Sequence, residues 1–163
     1  MCKRVFLCAA WIGLCLFLKN GSACEPCLST LTLQETARAA DLIITGRKVA
    51  QYPPKGMGAV FGGPDWIRVE VYDVLKGQEQ RDSIKINSYN GMCGYGVVIN
   101  DEEVYIMFLQ KAQNNMVDYD SVNGGCAVKS LLIKNGLVAY NDSMVAMDII
   151  TVMIDEALMP PNP

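Results

Sequence analysis

At 163 residues, with a net charge of −3 and an isoelectric point near 4.9, the chain suits one domain with a sizeable core. An acidic domain is a poor candidate for binding nucleic acid, whose phosphates call for a basic surface. The sequence holds no histidine, which removes the commonest general base and the commonest zinc ligand together.

Residues 1–23 read as a secretory signal. Lys3 and Arg4 give a positive start, Val5 to Leu18 is an uncharged apolar run, and Gly21-Ser22-Ala23 supplies small residues for cleavage. The run is short for a membrane span, which needs about 20 apolar residues. Cleavage after Ala23 makes Cys24 the first residue of a mature domain, 24–163. The leader takes three basic residues with it, so the remainder is more acidic still. A secreted or periplasmic location follows.

Four cysteines remain after the leader: Cys24, Cys27, Cys93 and Cys126. In an oxidising compartment that even number favours two disulfides, and spacing leaves all three connectivities open. Closing loops this long stabilises a fold by about 4–5 kcal/mol per bridge.

Ser29, Thr30 or Thr32 can cap a short helix from Leu33 through Ala40, and Thr32 with Glu35 three residues later fits a capping box. Its thin apolar face places it on the surface. Leu42–Ala50 reads as a strand, with Gly46 as a bend or bulge of the sort a barrel corner needs. Tyr52–Asp65 is a Pro/Gly loop long enough to suggest a purpose, in which Met57, Val60 and Phe61 either fold back over the barrel or form an exposed contact tip. Ile67, Val69 and Val71 alternate with polar residues as in a half-buried strand ending at Lys76-Gly77, and Ser83–Asn87 repeats the pattern. Tyr89–Gly96 is a glycine-rich turn carrying Cys93. Asp101, Glu102 and Glu103 read as a solvated turn without a basic partner.

Val104–Leu109 is apolar on both faces, as a central strand should be. Gln113–Gly125 reads as a polar loop and Cys126–Ile133 as the next strand. Asn135-Gly136 predicts a two-residue type I′ hairpin into Leu137–Tyr140. Asp142 or Ser143 caps a final helix from Met144 to about Leu158, whose apolar stripe is Met147, Ile150, Thr151, Ile154 and Leu158, widened by Val145, Ile149 and Met153. Asn141-Asp142-Ser143 is a glycosylation sequon where the pathway is eukaryotic. The sum is a mainly β chain closing into a small five-stranded barrel, with one helix near the N-terminus and one at the C-terminus.

From about Cys24 to Ile133 the chain resembles the netrin-like family, and within it the tissue inhibitors of metalloproteinases. The resemblance rests on the cysteine pair at the cleavage point, Ile44-Thr45-Gly46-Arg47-Lys48-Val49-Ala50, Val71-Tyr72-Asp73-Val74-Leu75-Lys76-Gly77, Met92-Cys93-Gly94-Tyr95, and a last strand near Cys126. It implies an OB barrel, disulfides Cys24–Cys93 and Cys27–Cys126, and inhibition of a zinc metalloprotease. The free α-amine and carbonyl of Cys24 would chelate the protease's zinc, and Glu25, Pro26, Gly91 and Met92 would form the contact ridge. An α-amine has a pKa near 7.7–8.0, so a useful neutral fraction is available to a metal. The implied protein is a monomer that is not an enzyme, carries no cofactor or metal of its own, and touches no membrane unless Cys24 is acylated. The chain departs from the family in having Cys-x-x-Cys at its start and in lacking the third disulfide and the six-cysteine C-terminal domain.

Other readings of the same cysteines differ in chemistry. A netrin-like module can use Cys24 and Cys27 as staples and bind something other than a protease. Acylation of Cys24, as in a bacterial lipoprotein, would consume its sulfur, and Gly21 fits that signal poorly. A thiol oxidoreductase would need Cys24-Glu25-Pro26-Cys27 at a helix start after a strand, and no strand precedes it. A four-cysteine zinc site lacks a second close pair.

Overall fold

The computed structural model describes residues 31–53, 65–88, 96–97, 99–113, 115–122 and 127–160. Helix α1 (Leu33–Ala39) leads into β1 (Leu42–Tyr52). There follow β2 (Trp66–Lys76), β3 (Ser83–Asn87), β4 (Val104–Lys111), β5 (Tyr119–Ser121), β6 (Ser130–Lys134), β7 (Leu137–Tyr140), β8 (Ser143–Ala146) and helix α2 (Met147–Leu158).

Five strands close into a barrel in the order β1-β2-β3-β5-β4, with β4 returning to β1. All neighbours are antiparallel except β3 and β5, which run parallel and meet at Ile86 and Tyr119. This closed five-stranded arrangement is consistent with the OB-fold. The expected five-stranded barrel with a helix at each end of the chain is therefore present, but its fifth strand is not the expected one. The polar stretch after Lys111 supplies β5, whose three residues are too few for a periodicity signal. The stretch thought to begin at Cys126 is strand only from Ser130, and it pairs with the first half of β4 outside the barrel.

β1 can serve two partners because it bends. Ile43 and Ile44 face different neighbours, and the pairing with β2 slips between Thr45 and Gly46. Gly46 lies so close to β2 that a Cβ would strike the Glu70 carbonyl oxygen. The inward residues Leu42, Ile44, Ile67, Val69, Ile84, Ile86, Met107 and Leu109 fill the barrel and are fully buried.

The second core lies outside the barrel. Ile43, Ile106 and Phe108 point from the outer face of β1 and β4 into Leu33 and Ala37 of α1, Ile150, Ile154 and Ala157 of α2, and Leu131 and Val138 of the β6–β7 hairpin. β4 is thus covered on both faces, as its unbroken apolar run predicts. Helix α1 begins with the predicted capping box. Thr32 Oγ1 accepts from Glu35 N at 3.2 Å, and the Glu35 carboxylate accepts from Thr32 N at 2.8 Å. That bond, foremost, holds the Glu35 pKa below its ordinary value. The helix lies on the outside of the barrel with one narrow buried face, as expected: Leu33, Thr36 and Ala37 are buried against α2 and β4, while Glu35, Arg38 and Ala39 are exposed.

Both helices end on a cation, where unpaired carbonyls and the helix dipole favour one. Lys76 Nζ donates to the carbonyls of Ala37 and Arg38, each at 2.9 Å, and to Ala40. Burial pushes the Lys76 pKa down and Asp41 opposes that shift. Gly77 follows at φ +88°, where a Cβ would meet the Asp41 carbonyl. The Lys76-Gly77 pair therefore locks the end of β2 to the end of α1. Arg38 Nε in turn donates to the Ala157 carbonyl of α2 at 2.9 Å.

The C-terminal region differs from expectation. Asn135-Gly136 does form the type I′ turn, at φ 54° and 76°. A second such turn follows at Asn141-Asp142, at φ 48° and 59°, and returns Ser143–Ala146 as β8. Neither Asp142 nor Ser143 caps a helix. α2 starts at Met147 behind Ala146, which makes no side-chain cap bond. Ile150 and Ile154 are buried as expected, whereas Ile149 is 52 % exposed, so the stripe is narrower than its sequence suggests.

Among the described residues Thr36 Oγ1 is buried without a hydrogen-bond partner. An unsatisfied buried hydroxyl costs about 1–3 kcal/mol, so Thr36→Val should raise stability by about 1 kcal/mol. Urea unfolding checks this, and a destabilised variant would show that the hydroxyl is satisfied in solution.

Candidate functional site

The strands give the barrel two distinct ends. At one end lie the starts of β1, β3 and β5 and the ends of β2 and β4. At the other lie the ends of β1, β3 and β5 and the starts of β2 and β4. The second end carries the stems of three loops. Tyr52 and Asp65 hold one, with Asp65 N donating to the Tyr52 carbonyl at 2.7 Å. Ser88 and Val97 hold the next: Val97 N donates to the Asn87 carbonyl at 3.1 Å and Ser88 Oγ to the Val97 carbonyl at 2.6 Å. Val122 and Lys129 hold the third, both bonded to the backbone of Phe108.

Helix α1 ends at the first barrel end, where it enters β1. At 1.5 Å per residue it spans about 10 Å from its capped start. Its Leu33 shares a core with Val122, Ala127 and Val128, the residues bracketing the third stem. The expected site residues Cys24, Glu25, Pro26, Gly91 and Met92, with Cys27, Cys93 and Cys126, lie outside the described residues, as does most of the Tyr52–Asp65 loop with Met57, Val60 and Phe61.

The acidic turn is not free of cations. Lys48 Nζ pairs with Asp101 at 2.7 Å, across a parallel bridge between the two residues. Glu102 adopts φ 64°, and Glu103 accepts from the Tyr105 hydroxyl at 2.7 Å and from Asn100 at 2.8 Å. Those bonds, the tyrosine's first, hold the Glu103 pKa below its ordinary value. Arg47, Lys48, Gln51, Asp101 and Glu102 surround an open cleft of about 480 Å³.

The opposite end is tied by a charged network absent from the sequence reading. Glu79 Oε1 accepts from Arg81 Nε at 2.9 Å, and Glu79 Oε2 from Arg81 Nη2 at 2.7 Å and the Tyr119 hydroxyl at 3.0 Å. Arg81 Nη1 reaches Asp118 at 2.7 Å, and Asp118 also accepts from Lys85 N at 2.7 Å. The network binds the β2–β3 turn to the start of β5 and so braces the strand that closes the barrel. Spacing of Glu79 and Arg81 two apart in a turn was the only sequence signal for it.

On the outer face of β1–β3, the Tyr52 and Trp66 rings stack at 5.7 Å and 11°, and Lys85 Nζ sits 4.6 Å from the Trp66 ring centre. Beside them is a polar cleft of about 420 Å³ lined by Arg68, Arg81, Ser83, Lys85 and Asp118. Among the described residues no group of three or more His, Cys, Asp or Glu could hold a metal, and no helix is long and apolar enough to cross a membrane. A scan against protein-family models finds no match, and a search of curated proteins finds none either.

Proposed function

We propose that the chain is an exported inhibitor of zinc metalloendopeptidases, acting through the α-amine and carbonyl of Cys24. Cys24–Cys93 and Cys27–Cys126 would anchor the terminus, and Glu25, Pro26, Gly91 and Met92 would flank it. One observation carries this reading: the stems on either side of residue 93 and of residue 126 share one end of the barrel, and Leu33 at the start of α1 shares a core with Val122 of the second stem. A terminus tied there would meet a partner already ordered, which lowers the cost of binding. The net acidic charge and the lack of histidine give the chain little hydrolytic chemistry of its own.

The test is a panel of zinc endopeptidases assayed with the exported protein, after intact mass has established its first residue. A single alanine added before Cys24 should weaken inhibition at least a hundredfold, because it removes the α-amine from the metal. Equal inhibition by the extended protein would disprove chelation. If neither form inhibits any member of the panel, the barrel is a binding module of another kind, and Cys24 and Cys27 serve as staples. Diacylglycerol on Cys24 in the intact mass would exclude both disulfide and chelation at that residue.

A further inference from the structure

The outer face of β2 and β3 breaks a rule of sheet stability. Arg68 and Lys85 are direct cross-strand partners, and both point away from the barrel interior. Like charges in that relation repel. Among the described residues no carboxylate pairs with either side chain. Glu70 is held by Arg47 at 3.1 Å and by the Tyr72 hydroxyl at 3.2 Å. Asp118, which lines the same cleft, is occupied by Arg81 and by the backbone N–H of Lys85. Among the described residues the Arg68 side chain makes no hydrogen bond or ion pair, and Lys85 Nζ meets only the Trp66 ring. Two unneutralised cations therefore face one cleft on a chain whose overall charge is acidic. One strand step along, Trp66 and Tyr52 lay two parallel rings on the same face, with Tyr52 52 % exposed.

We propose that this face binds a short acidic oligosaccharide, its sulfate or carboxylate groups held by Arg68 and Lys85 and a neighbouring sugar ring lying against Tyr52. The cleft's volume is that of a small-ligand site. Successive outward residues on β2 stand about 7 Å apart, which suits a ligand alternating rings and anionic groups. The acidic field of the whole chain opposes a long polyanion, whereas a short one engages only the local cations within a screening length of about 10 Å.

Trp66 is the only tryptophan beyond the leader, so its fluorescence reports on the site. The full exported chain should be titrated with a sulfated tetrasaccharide, a neutral tetrasaccharide, an eight-base single-stranded DNA and sodium sulfate. Saturable binding of the sulfated sugar is expected, weakened at least tenfold in Arg68→Gln, with little response to the other three. Arg68→Gln removes the like-charge opposition, so its melting temperature should be unchanged or higher, which separates lost binding from lost folding. Equal binding by Arg68→Gln or by the neutral sugar overturns the proposal. So does matching affinity for the DNA, which would mean general attraction to polyanions, or for sulfate alone, which would mean a lone oxyanion site.

Discussion

Gly46→Val is expected to destabilise the protein by about 3 kcal/mol or more, at the top of the range for forcing atoms into a packed site. The cause is proximity, since Gly46 is absent from the positive-φ residues. A Cβ would collide with the Glu70 carbonyl oxygen and with Val69 Cγ1. Neither can retreat cheaply. Val69 is fully buried in the barrel, and Glu70 is held in β2 between Arg47 and Ser83. On its other side Gly46 is paired with Tyr105 of β4, so β1 has no free edge to swing toward. Relief would require opening a pairing that closes the barrel. Urea unfolding of the valine variant, with a slope equal to the parent's, is the measurement. A loss under 1 kcal/mol would mean that the bend at Thr45–Gly46 is looser than the structure has it.

Acidification should remove about 1–2 kcal/mol of stability through one carboxylate, Glu79. Its pKa lies at about 2 against an ordinary 4.5, chiefly because Arg81 hydrogen-bonds the ionised form, with further bonds from the Arg81 backbone and Tyr119 outweighing the cost of burial. The Glu79 side chain is 6 % exposed but that of Arg81 is 51 % exposed, so solvent screens part of the pair's attraction. The folded-state pKa is depressed, so the contribution is complete above about pH 4.5 and is lost as pH falls toward 2. The raised pKa of Arg81 is the same pair seen from its partner and adds nothing further. Urea midpoints between pH 6 and pH 2.5 should fall steeply for the parent and much less for Glu79→Gln, which starts lower. Parallel slopes for the two proteins would assign acid sensitivity elsewhere. Since Tyr119 belongs to β5, loss of this network should loosen the barrel first at its shortest strand.

Several elements could be read directly from the residues because their signals are local. The Thr32–Glu35 box, the alternation of Ile67 and Val69, the two-faced apolar run of β4 and the Asn135-Gly136 turn each depend on neighbours within a few positions. β5 escaped notice because three residues cannot show a period. The Asn141-Asp142 turn escaped because it lacks the glycine that usually marks left-handed backbone, although both residues tolerate it. Without that turn Ser143–Ala146 joined the helix behind it. The candidate site is a different matter. Cys24, Cys27, Cys93 and Cys126 were chosen by residue type and by resemblance, and the described structure bears on them only through the stems of their loops. The Arg68–Lys85 opposition was in the sequence only as two cations on separate strands, and register alone made them neighbours.

The sequence by itself determined which segments alternate, which faces are apolar, that Thr32 and Glu35 fit a capping box and that Gly46 marks a bend or bulge in a strand. Tertiary structure decided that β5 closes the barrel, that α2 covers the inner face of α1, and that Lys76 and Arg38 end helices far from them in the chain. The division has a physical reason. Periodicity and capping arise from backbone geometry over a few residues, whereas closure, coverage and charge opposition depend on pairings between residues tens of positions apart, which no local pattern encodes.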